Sequence, residues 1–431
     1  MKTIKFYTLG CKVNQYETQV IREQFLKVGF KEINNKERAD IYVINTCTVT
    51  ESADAKSRRY IHMAYKENPK ARIVVCGCYT ELDSQVIKRI KGVTHIVKNK
   101  DKYRIPQLLN VLKLKKDTQE EFNNPGISDF SGHTRAFLKI QDGCNNFCSF
   151  CKVPLVRGRS RSKPLEGIVK EARQLARKGY KEIVLCGICL GDYGKDLNPP
   201  RNLVEVIEEL EKIDQLLRIR LSSIEAKDIT DELINKFAEC KKLCPHLHIP
   251  FQSGDDEVLK FMHRRYSFLD YLSLIQKIKM GIPEVSITTD IMVGFPGETE
   301  ERFQNTLDLI KRTLPLKVHI FPYSRRQGTV ANNLKSQVPI PVIKERVLRL
   351  KKIAEECRKI YIAKFLKKEM EVLFEDQKEG FWEGFTKNYI KVKLNSKANL
   401  RNKLIKVVLK KINPEAVLAI NNGTLTVGLP N

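Results

Sequence analysis

The sequence predicts an α/β protein in three parts: a doubly wound N-terminal domain over residues 1–115, a partial β/α barrel over 133–366, and a small C-terminal antiparallel β-barrel over 367–431. Two stretches in which strand-like and helix-like runs alternate predict the first two parts, since such alternation is typical of parallel sheets covered by helices. The third part is indicated by short runs in which apolar residues alternate with lysine.

The N-terminal strand-like runs are short and apolar, as buried parallel strands are. They are Ile4–Leu9, Ile41–Asn45 and Arg72–Val75, with helix-like runs at Gln15–Val28 and Ala53–Tyr65. The polar stretch Lys115–Gly132 follows and contains the turn signal Asn-Asn-Pro-Gly at 123–126, so we interpret it as a linker.

The second series supplies enough strands for a partial or complete barrel. Its strand-like runs are Ala136–Gln141, Glu182–Leu185, Arg218–Leu221, His246–Pro250, Ser286–Ile291 and Val318–Phe321. The apolar stripe of Ile343–Leu366 predicts a helix that leads out of the barrel. The strand-like runs of the last part are Tyr389–Leu394, Leu404–Leu409, Ala416–Ile420 and Thr424–Val427.

The chain of 431 residues carries 77 Lys and Arg against 51 Asp and Glu, a net charge of +26. This excess favours a polyanionic partner, nucleic acid first, with a lysine-rich proteome as the alternative for part of it. The N-terminus lacks the apolar core of a signal peptide, and no run approaches the ~18 apolar residues of a membrane span. We therefore expect a cytoplasmic protein that uses no membrane, whose twelve cysteines serve as metal ligands, catalytic groups or buried thiols.

Three cysteines lie within eight residues in DGCNNFCSFCKVP, directly after a predicted strand. The CxxxCxxC spacing of Cys144, Cys148 and Cys151 allows one loop to hold a [4Fe-4S] cluster with three thiolates and one open iron. The amine and carboxylate of S-adenosylmethionine can chelate that iron, and an electron from the cluster then releases a 5′-deoxyadenosyl radical. The alternative is a zinc site with a fourth ligand such as His133. The β/α pattern that follows favours the radical site.

Cys11, Cys47 and Cys78 lie 36 and 31 residues apart, and each follows a predicted strand. The carboxyl ends of neighbouring parallel strands face one crevice, so three thiols at that edge can hold a second [4Fe-4S] cluster. From spacing alone, three buried structural cysteines explain the pattern equally well. Cys76 competes with Cys78, but it lies nearer the strand end, where burial is favoured, and we select Cys78.

With both triplets in view, the chain resembles the radical SAM methylthiotransferases, and most of all their branch that modifies N6-threonylcarbamoyladenosine in tRNA. The resemblance covers nearly the whole chain, and its carriers are TLGCKVNQYET, NTCTVTESADAKSRR, CGCYTEL, QDGCNNFCSFCKVPLVRGRSRS, SSIEAKDI, HIPFQSGDDEVLKFMHRRYS, DIMVGFPGETEE and the C-terminal barrel. It implies that the Cys144 triplet holds the radical-generating cluster and the Cys11 triplet an auxiliary cluster for sulfur. The last part looks like a TRAM domain, an RNA-binding β-barrel.

The same resemblance implies the reaction. The radical attacks adenine C2 of the modified nucleoside beside the anticodon, sulfur comes from the auxiliary cluster, and a second S-adenosylmethionine supplies the methyl group. It also implies an electron donor of the flavodoxin or ferredoxin type, a sulfur source, and no protein catalyst beyond the cluster ligands. Two rival functions remain: methylthiolation of a ribosomal-protein aspartate, and a non-catalytic iron–sulfur protein that binds RNA.

S-adenosylmethionine needs contacts beyond iron, and the loops after barrel strands are where they belong. Gly187 allows backbone to approach the methionine moiety, and Glu225 and Gln252 suit ribose hydroxyls; the alternative for each is a loop hydrogen bond or cap. The run Gly294-Phe295-Pro296-Gly297 shapes an adenine pocket or a simple turn.

Two basic segments are candidates for RNA contacts. Arg157, Arg159 and Arg161 directly follow the cysteine loop and are either phosphate contacts or a solvated charge run. In the last part, Lys387 and Lys391 alternate with aromatic residues, which suits stacking and backbone contacts with RNA. Those rings are Phe381, Trp382, Phe385 and Tyr389, and we expect at least half of them to form the core of so small a barrel.

Two departures from the family pattern stand out. Residues 324–331 read SRRQGTVA where members often read SPRPGTPA, so two prolines are replaced and the stiffness of this loop is in question. Cys186 and Cys189 stand where a threonine and a polar residue are expected. They are interpreted as two small, semi-buried side chains rather than as a redox or metal site.

Overall fold

The structure is a computed structural model that describes residues 1–33, 37–112 and 125–421. The first two residues of the predicted Asn-Asn-Pro-Gly turn and the strand-like run Thr424–Val427 lie outside these ranges. Within them, no helix combines the length and apolar character needed to cross a membrane.

The N-terminal part is a five-stranded parallel sheet in the order β2-β1-β3-β4-β5. The strands are β1 (Thr3–Thr8), β2 (Lys31–Glu32), β3 (Ile41–Thr46), β4 (Arg72–Gly77) and β5 (Val93–Ile96). The helices are α1 (Lys12–Lys27), α2 (Glu51–Glu67), α3 (Tyr79–Leu82), α4 (Ser84–Lys88) and α5 (Ile105–Leu108).

Successive side chains of these strands enter two separate cores. Ile44 and Val75 pack with Ile61 of α2, whereas Val43 and Val74 pack with Phe25 of α1. Helices therefore cover both faces of the sheet, and the predicted doubly wound arrangement is confirmed.

The central part is a six-stranded open barrel. Its parallel strands follow the order β6-β9-β10 and β11-β12-β13, and the bridges Ile219–Leu243 and Ser223–His248 join the two halves. The strands are β6 (Arg135–Lys139), β7 (Gln141–Asp142), β8 (Arg161–Ser162), β9 (Glu182–Cys186), β10 (Arg218–Leu221), β11 (His246–His248), β12 (Ser286–Val293) and β13 (Lys317–Pro322); β7 and β8 form a small separate hairpin.

Helices surround this barrel, and its apolar side chains face them. The helices are α6 (Val153–Arg157), α7 (Leu165–Arg177), α8 (Leu203–Glu211), α9 (Asp231–Glu239), α10 (Asp256–Phe261), α11 (Phe268–Gly281), α12 (Glu300–Thr313) and α13 (Ile340–Ala363). The main core gathers Leu138, Leu185 and Ile219 with the inner stripes of the helices. The predicted partial β/α barrel is confirmed, and α13 leads out of it.

The C-terminal part is a closed five-stranded barrel in the order β14-β15-β16-β18-β17. Its strands are β14 (Glu369–Lys378), β15 (Phe381–Thr386), β16 (Lys391–Asn395), β17 (Leu404–Ile412) and β18 (Val417–Asn421). All its pairings are antiparallel except that of β16 with β18.

This small barrel closes the amino-terminal end of the central barrel. Arg218 donates to the Phe385 and Glu371 carbonyl oxygens at 3.0 and 2.9 Å, and Arg220 donates to the Lys387 carbonyl oxygen at 2.9 Å. The Tyr389 ring stacks on His246 with centroids 4.4 Å apart. The cysteine loop lies at the opposite end of the barrel, at the carboxyl ends of the strands.

Candidate active site

The loop that carries Cys144, Cys148 and Cys151 runs between β7 and α6, at the carboxyl ends of the barrel strands. Its entry depends on Gly143, which has φ of +75° and no room for a side chain, since a Cβ there would lie 1.9 Å from the Arg159 carbonyl oxygen. Further along, the Ser149 hydroxyl donates to the Phe261 carbonyl oxygen at 2.6 Å and anchors the loop to α10.

Each thiol of this loop receives a hydrogen-bond donor. The backbone N–H of Asn146 points at the Cys144 sulfur at 3.4 Å, and that of Val153 points at the Cys151 sulfur at the same distance. The Arg264 guanidinium lies 3.5 Å from the Cys148 sulfur. Such donors favour thiolates.

Burial has the opposite effect on two of these thiols. It raises the pKa of Cys151 to about 12 and also raises the pKa of Cys148. A bound metal centre removes this penalty, because coordination deprotonates a thiol. The donor set therefore fits an iron–sulfur cluster held by three thiolates.

The zinc alternative is not supported by the geometry. His133 precedes β6 at the other end of the barrel and packs on Phe130 and Phe137. Among the described residues, neither cysteine triplet has its sulfur atoms within 4.8 Å of one another, as ligands of a single ion would have.

The predicted cofactor contacts lie around the same end of the barrel. Glu225 accepts hydrogen bonds from Arg264 and Tyr266, at 3.0 and 2.6 Å, which links it to the Cys148 donor. Gln252 has φ of +67° and pairs through its backbone with β12. A Cβ on Gly187 would lie 2.7 Å from the Gln141 side-chain oxygen, so this close approach needs glycine.

Sequence reasoning missed Arg264 and Tyr266. Both lie in the motif FMHRRYS, but a motif does not show which arginine turns inward. Arg264 is buried and reaches the cysteine loop, and only the fold of α10 and the following turn reveals this.

Cys186 and Cys189, expected to be semi-buried, are both fully buried. Cys186 ends β9, and the Cys189 sulfur accepts from the Asn146 amide at 3.5 Å next to Cys144. Cys189, Asp192 and Asp228 place possible ligand atoms within 4.8 Å of one another. The Gly294-Phe295-Pro296-Gly297 run follows β12, and the Phe295 ring is buried against other aromatic rings.

The second triplet lies at the carboxyl edge of the N-terminal sheet. Cys11 precedes α1, Cys47 follows β3, and Cys78 precedes α3 after β4. Gly10 packs so closely that a Cβ there would lie 3.0 Å from the Cys47 sulfur. Burial raises the pKa of Cys47 to about 11, and the charges of Cys78 and Cys11 raise it further.

Cys76 points elsewhere. Its side chain is fully buried in the apolar core with Phe25 and Val74. This placement favours Cys78 as the third member of the group.

A buried ion network joins this sheet edge to the central barrel. Glu17 of α1 accepts hydrogen bonds from Lys102, Lys139 and Arg157 at 2.6, 2.7 and 3.0 Å. Asp142 of the barrel accepts from Lys139 and Arg157 at 2.7 and 2.9 Å. The network fixes the two cysteine-bearing parts relative to each other.

This placement corrects the prediction that Arg157 contacts RNA. Its side chain is only 2% exposed, and both terminal nitrogens of its guanidinium donate hydrogen bonds, to Glu17, Asp142 and Asn14. The residue lies inside the interface because two carboxylates there compensate its charge. Arg159, by contrast, is exposed and lies over the exposed Phe147 ring, and Arg161 is partly exposed.

Lys387 and Lys391, the two lysines predicted to contact RNA, have protein partners. Lys387 donates to the Lys241 carbonyl oxygen at 3.1 Å, and Lys391 pairs with Glu383 at 3.0 Å. Trp382 lies in the core of the small barrel, while Phe385 and Tyr389 pack against Arg135 in the interface with the central barrel. The expectation that at least half of the four rings form the core of the small barrel therefore holds fully only for Trp382, with Tyr389 packed against that core as a partly buried ring.

The segment that departs from the family pattern bridges both cysteine sites. Arg326 donates to the carbonyl oxygen of Thr48, the residue after Cys47, at 3.1 Å, and it pairs with Asp54 of α2. The Ala331 N–H donates to the Ser149 carbonyl oxygen at 2.9 Å, inside the other cysteine loop. These contacts hold the segment without the two prolines.

A β/α barrel with a CxxxCxxC loop at the carboxyl ends of its strands defines a radical SAM enzyme, which uses a [4Fe-4S] cluster and S-adenosylmethionine. Residues 138–310 match the radical SAM superfamily, and residues 3–98 match uncharacterized protein family UPF0004. The radical S-adenosylmethionine methyltransferase TsrM from Kitasatospora setae has a similar fold, with a TM-score of 0.56 at 13% identity over 77% of each chain.

Similar proteins show to which group of radical SAM enzymes the chain belongs. The chain is 40% identical to the threonylcarbamoyladenosine tRNA methylthiotransferase MtaB of Bacillus subtilis, over 95% of this chain and 94% of that protein. It is 36% identical to the tRNA-2-methylthio-N(6)-dimethylallyladenosine synthase of Acetivibrio thermocellus, over 93% and 87% of the two chains. The chain belongs to the radical SAM methylthiotransferases.

Proposed function

We propose that the enzyme replaces the hydrogen at adenine C2 of N6-threonylcarbamoyladenosine in tRNA with a methylthio group. The observation that carries the proposal is similarity over nearly the whole chain to relatives named for that nucleoside, from Bacillus subtilis and, at 39% identity, from Thermotoga maritima. The motifs GCKVNQYE and NTCTVT point to the same branch. The nucleoside lies beside the anticodon, where an unpaired base can be turned out into the barrel.

Two metal centres are part of this proposal. Cys144, Cys148 and Cys151 hold the cluster that, when bound, supplies the electron for cleavage of S-adenosylmethionine. Cys11, Cys47 and Cys78 hold a second [4Fe-4S] cluster that serves sulfur insertion. Two equivalents of S-adenosylmethionine are consumed per turnover, with a flavodoxin-type or ferredoxin-type electron donor and a separate sulfur source.

We also propose binding roles for residues around the two sites. Gly187, Glu225 and Gln252 contact S-adenosylmethionine, and Arg264 orients Glu225 through their hydrogen bond at 3.0 Å. Arg159 and Arg161 present positive charge beside the cysteine loop and contact tRNA phosphates. Lys387 and Lys391 add RNA contacts from the C-terminal part. We propose that this part is a TRAM-like domain over residues 367–431, which follows an N-terminal domain over 1–115 and a barrel domain over 133–366.

Nucleoside mass spectrometry of tRNA from a deletion strain tests this function. We expect the 2-methylthio form of N6-threonylcarbamoyladenosine to disappear and the unthiolated nucleoside to accumulate. A plasmid copy of the intact chain restores the product, and a copy with Cys144→Ala does not. Loss of the 2-methylthio dimethylallyl nucleoside, or of methylthio-aspartate in a ribosomal protein, with the threonylcarbamoyl product unchanged, would contradict the proposal.

A further inference from the structure

Phe147 is an aromatic residue on the surface of the cysteine loop. It stands between Cys144 and Cys148, at the carboxyl ends of the barrel strands, and its side chain is 48% exposed. In the described part of the chain, it belongs to none of the apolar cores. Packing within the protein therefore does not explain why a large apolar ring stands at this position.

The backbone of Phe147 provides a second observation. Its φ angle is +49°, in the left-handed region that a residue with a bulky side chain rarely adopts. Glycine or asparagine would adopt this conformation at lower energy. Residues held in unfavourable conformations are concentrated at binding and catalytic sites. An exposed ring on a strained backbone therefore indicates a role other than folding of the loop.

Arg159 contributes a cation to the same surface. Its guanidinium lies over the Phe147 ring, 5.0 Å from the ring centroid, and the residue is exposed. The Cys144 N–H donates to the Gly158 carbonyl oxygen at 3.1 Å, which ties together the two segments that carry the ring and the guanidinium. The two side chains thus form one exposed surface, which we call the Phe147–Arg159 platform.

Neighbouring residues hold this platform in place. The Ser160 N–H donates to the Asn145 side-chain oxygen at 3.3 Å, and the Asn146 side-chain oxygen accepts from the Lys227 ammonium at 2.6 Å. The backbone on the amino-terminal side of the ring is therefore fixed before any partner binds. A surface that is already ordered loses little conformational entropy on binding, which favours its use for recognition.

We infer that the Phe147–Arg159 platform stacks against an RNA base next to the target nucleoside, an inference that rests on the proposed function. When the target base is turned into the barrel, its neighbours in the strand stay at the rim, where the cysteine loop lies. Unpaired bases stack on aromatic rings and on guanidinium planes. The ring supplies the stacking surface, and the cation beside it compensates the charge of the adjoining phosphate.

Substitution of the ring separates this role from a structural one. Phe147→Asn removes the stacking surface and relieves the backbone, because asparagine tolerates the left-handed conformation. We expect the variant to keep its iron content and to show an unchanged or higher Tm, while its affinity for RNA falls. A ring that only supported the loop would lower Tm and iron content when it is removed.

A double-mutant cycle between protein and RNA tests the platform directly. The RNAs are a stem-loop carrying N6-threonylcarbamoyladenosine and two derivatives that lack the base on its 5′ or its 3′ side. For the cluster-loaded intact enzyme, we expect loss of one of these two bases to raise Kd by about 10-fold or more. For the Phe147→Asn enzyme, the same loss should raise Kd by less than about twofold, because the stacking partner is already absent.

Phe147→Tyr is the matched control, because it keeps an aromatic ring at the same position. We expect it to depend on the neighbouring base as the intact enzyme does. If loss of either base raises Kd by the same factor for the intact and the Phe147→Asn enzymes, or if the tyrosine variant behaves like the asparagine variant, the platform is wrong.

Methylthiolation of the complete stem-loop by the intact enzyme tests the proposed function separately. If this RNA is modified and the cycle shows no coupling, the proposed function stands and the platform is wrong. If the enzyme modifies only a dimethylallyl stem-loop, the proposed function is wrong, and the same cycle with that RNA decides the platform. If the enzyme binds none of these RNAs, both are wrong.

Discussion

The two cysteine sites differ in how the chain builds them. Cys144, Cys148 and Cys151 lie on one loop whose own backbone N–H groups point at two of the sulfur atoms. The other triplet comes from three strand ends of the N-terminal sheet. The first site therefore needs only a short segment and a barrel to hold it, whereas the second exists only when a whole sheet has folded.

The two sites also differ in charge. Arg264, beside the loop site, is paired with Glu225 at 2.6 Å. At the sheet edge, three buried cations, Lys102, Lys139 and Arg157, face two buried carboxylates, which leaves one positive charge. Burial lowers the pKa of Arg157, but the negative charges of Cys78, Glu17, Asp142 and Cys11 outweigh it and hold the pKa well above its usual value. This surplus of positive charge suits the anionic cluster that we propose for this edge.

The largest expected effect separates the sites by function. Changing Cys144, Cys148 and Cys151 to Ala should abolish cleavage of S-adenosylmethionine and lower the iron content of reconstituted protein from about eight to about four per chain. Iron analysis and release of 5′-deoxyadenosine measure this. Full iron content in the triple variant would show that the loop holds no cluster.

A smaller effect is expected from the ion network. Arg157→Met removes the hydrogen bonds that Glu17 and Asp142 accept from the guanidinium, while Lys139 still pairs with both carboxylates, so we expect a loss of about 1–3 kcal/mol in the free energy of unfolding. Denaturant titration measures the loss, and Arg159→Met is the exposed control, expected to change stability by less than about 0.5 kcal/mol. Equal stability of the two variants would mean that the network does not hold the parts together.

The network also predicts a response to pH. Burial alone would raise the pKa of Glu17, but the charges of Arg157, Lys102 and Lys139 outweigh it and hold the value well below normal. Its stabilising contribution is thus complete above the unfolded pKa near ~4.3 and is lost as the pH falls through the lower folded value. Glu17→Gln should remove this part of the acid sensitivity in unfolding curves measured at several pH values.

The smallest effect concerns RNA. Arg159→Ala and Arg161→Ala should each weaken tRNA binding a few-fold and reduce the dependence of log K on log salt by up to about one. Binding titrations at several salt concentrations measure both. Lys387→Ala and Lys391→Ala test the C-terminal part in the same way. Point variants are preferable to a deletion of this part, because its carbonyl oxygens accept hydrogen bonds from the buried Arg218 and Arg220 of the central barrel. If the salt dependence is unchanged in all four variants, these residues do not contact the tRNA, and it binds to another surface.

Local sequence patterns predicted the three-part fold and the cysteine loop, because strand periodicity and the CxxxCxxC spacing depend only on residues that are close together in the sequence. They failed at Arg157, which has the same local signature as the exposed Arg159. Its burial depends on Glu17, 140 positions away in the sequence. Arg264 was missed for the same reason, since it meets its partners only in three dimensions.

The central claim is that the loop cluster cleaves S-adenosylmethionine and the sheet-edge cluster serves sulfur insertion. One assay on the Cys11/Cys47/Cys78→Ala variant tests it most directly. Both 5′-deoxyadenosine and methylthio nucleoside are measured in the same reaction, with Cys76→Ala as the matched control from the neighbouring core. We predict that the triple variant still releases 5′-deoxyadenosine and forms no methylthio product, while the control forms both. A normal yield of methylthio nucleoside from the triple variant would contradict the account.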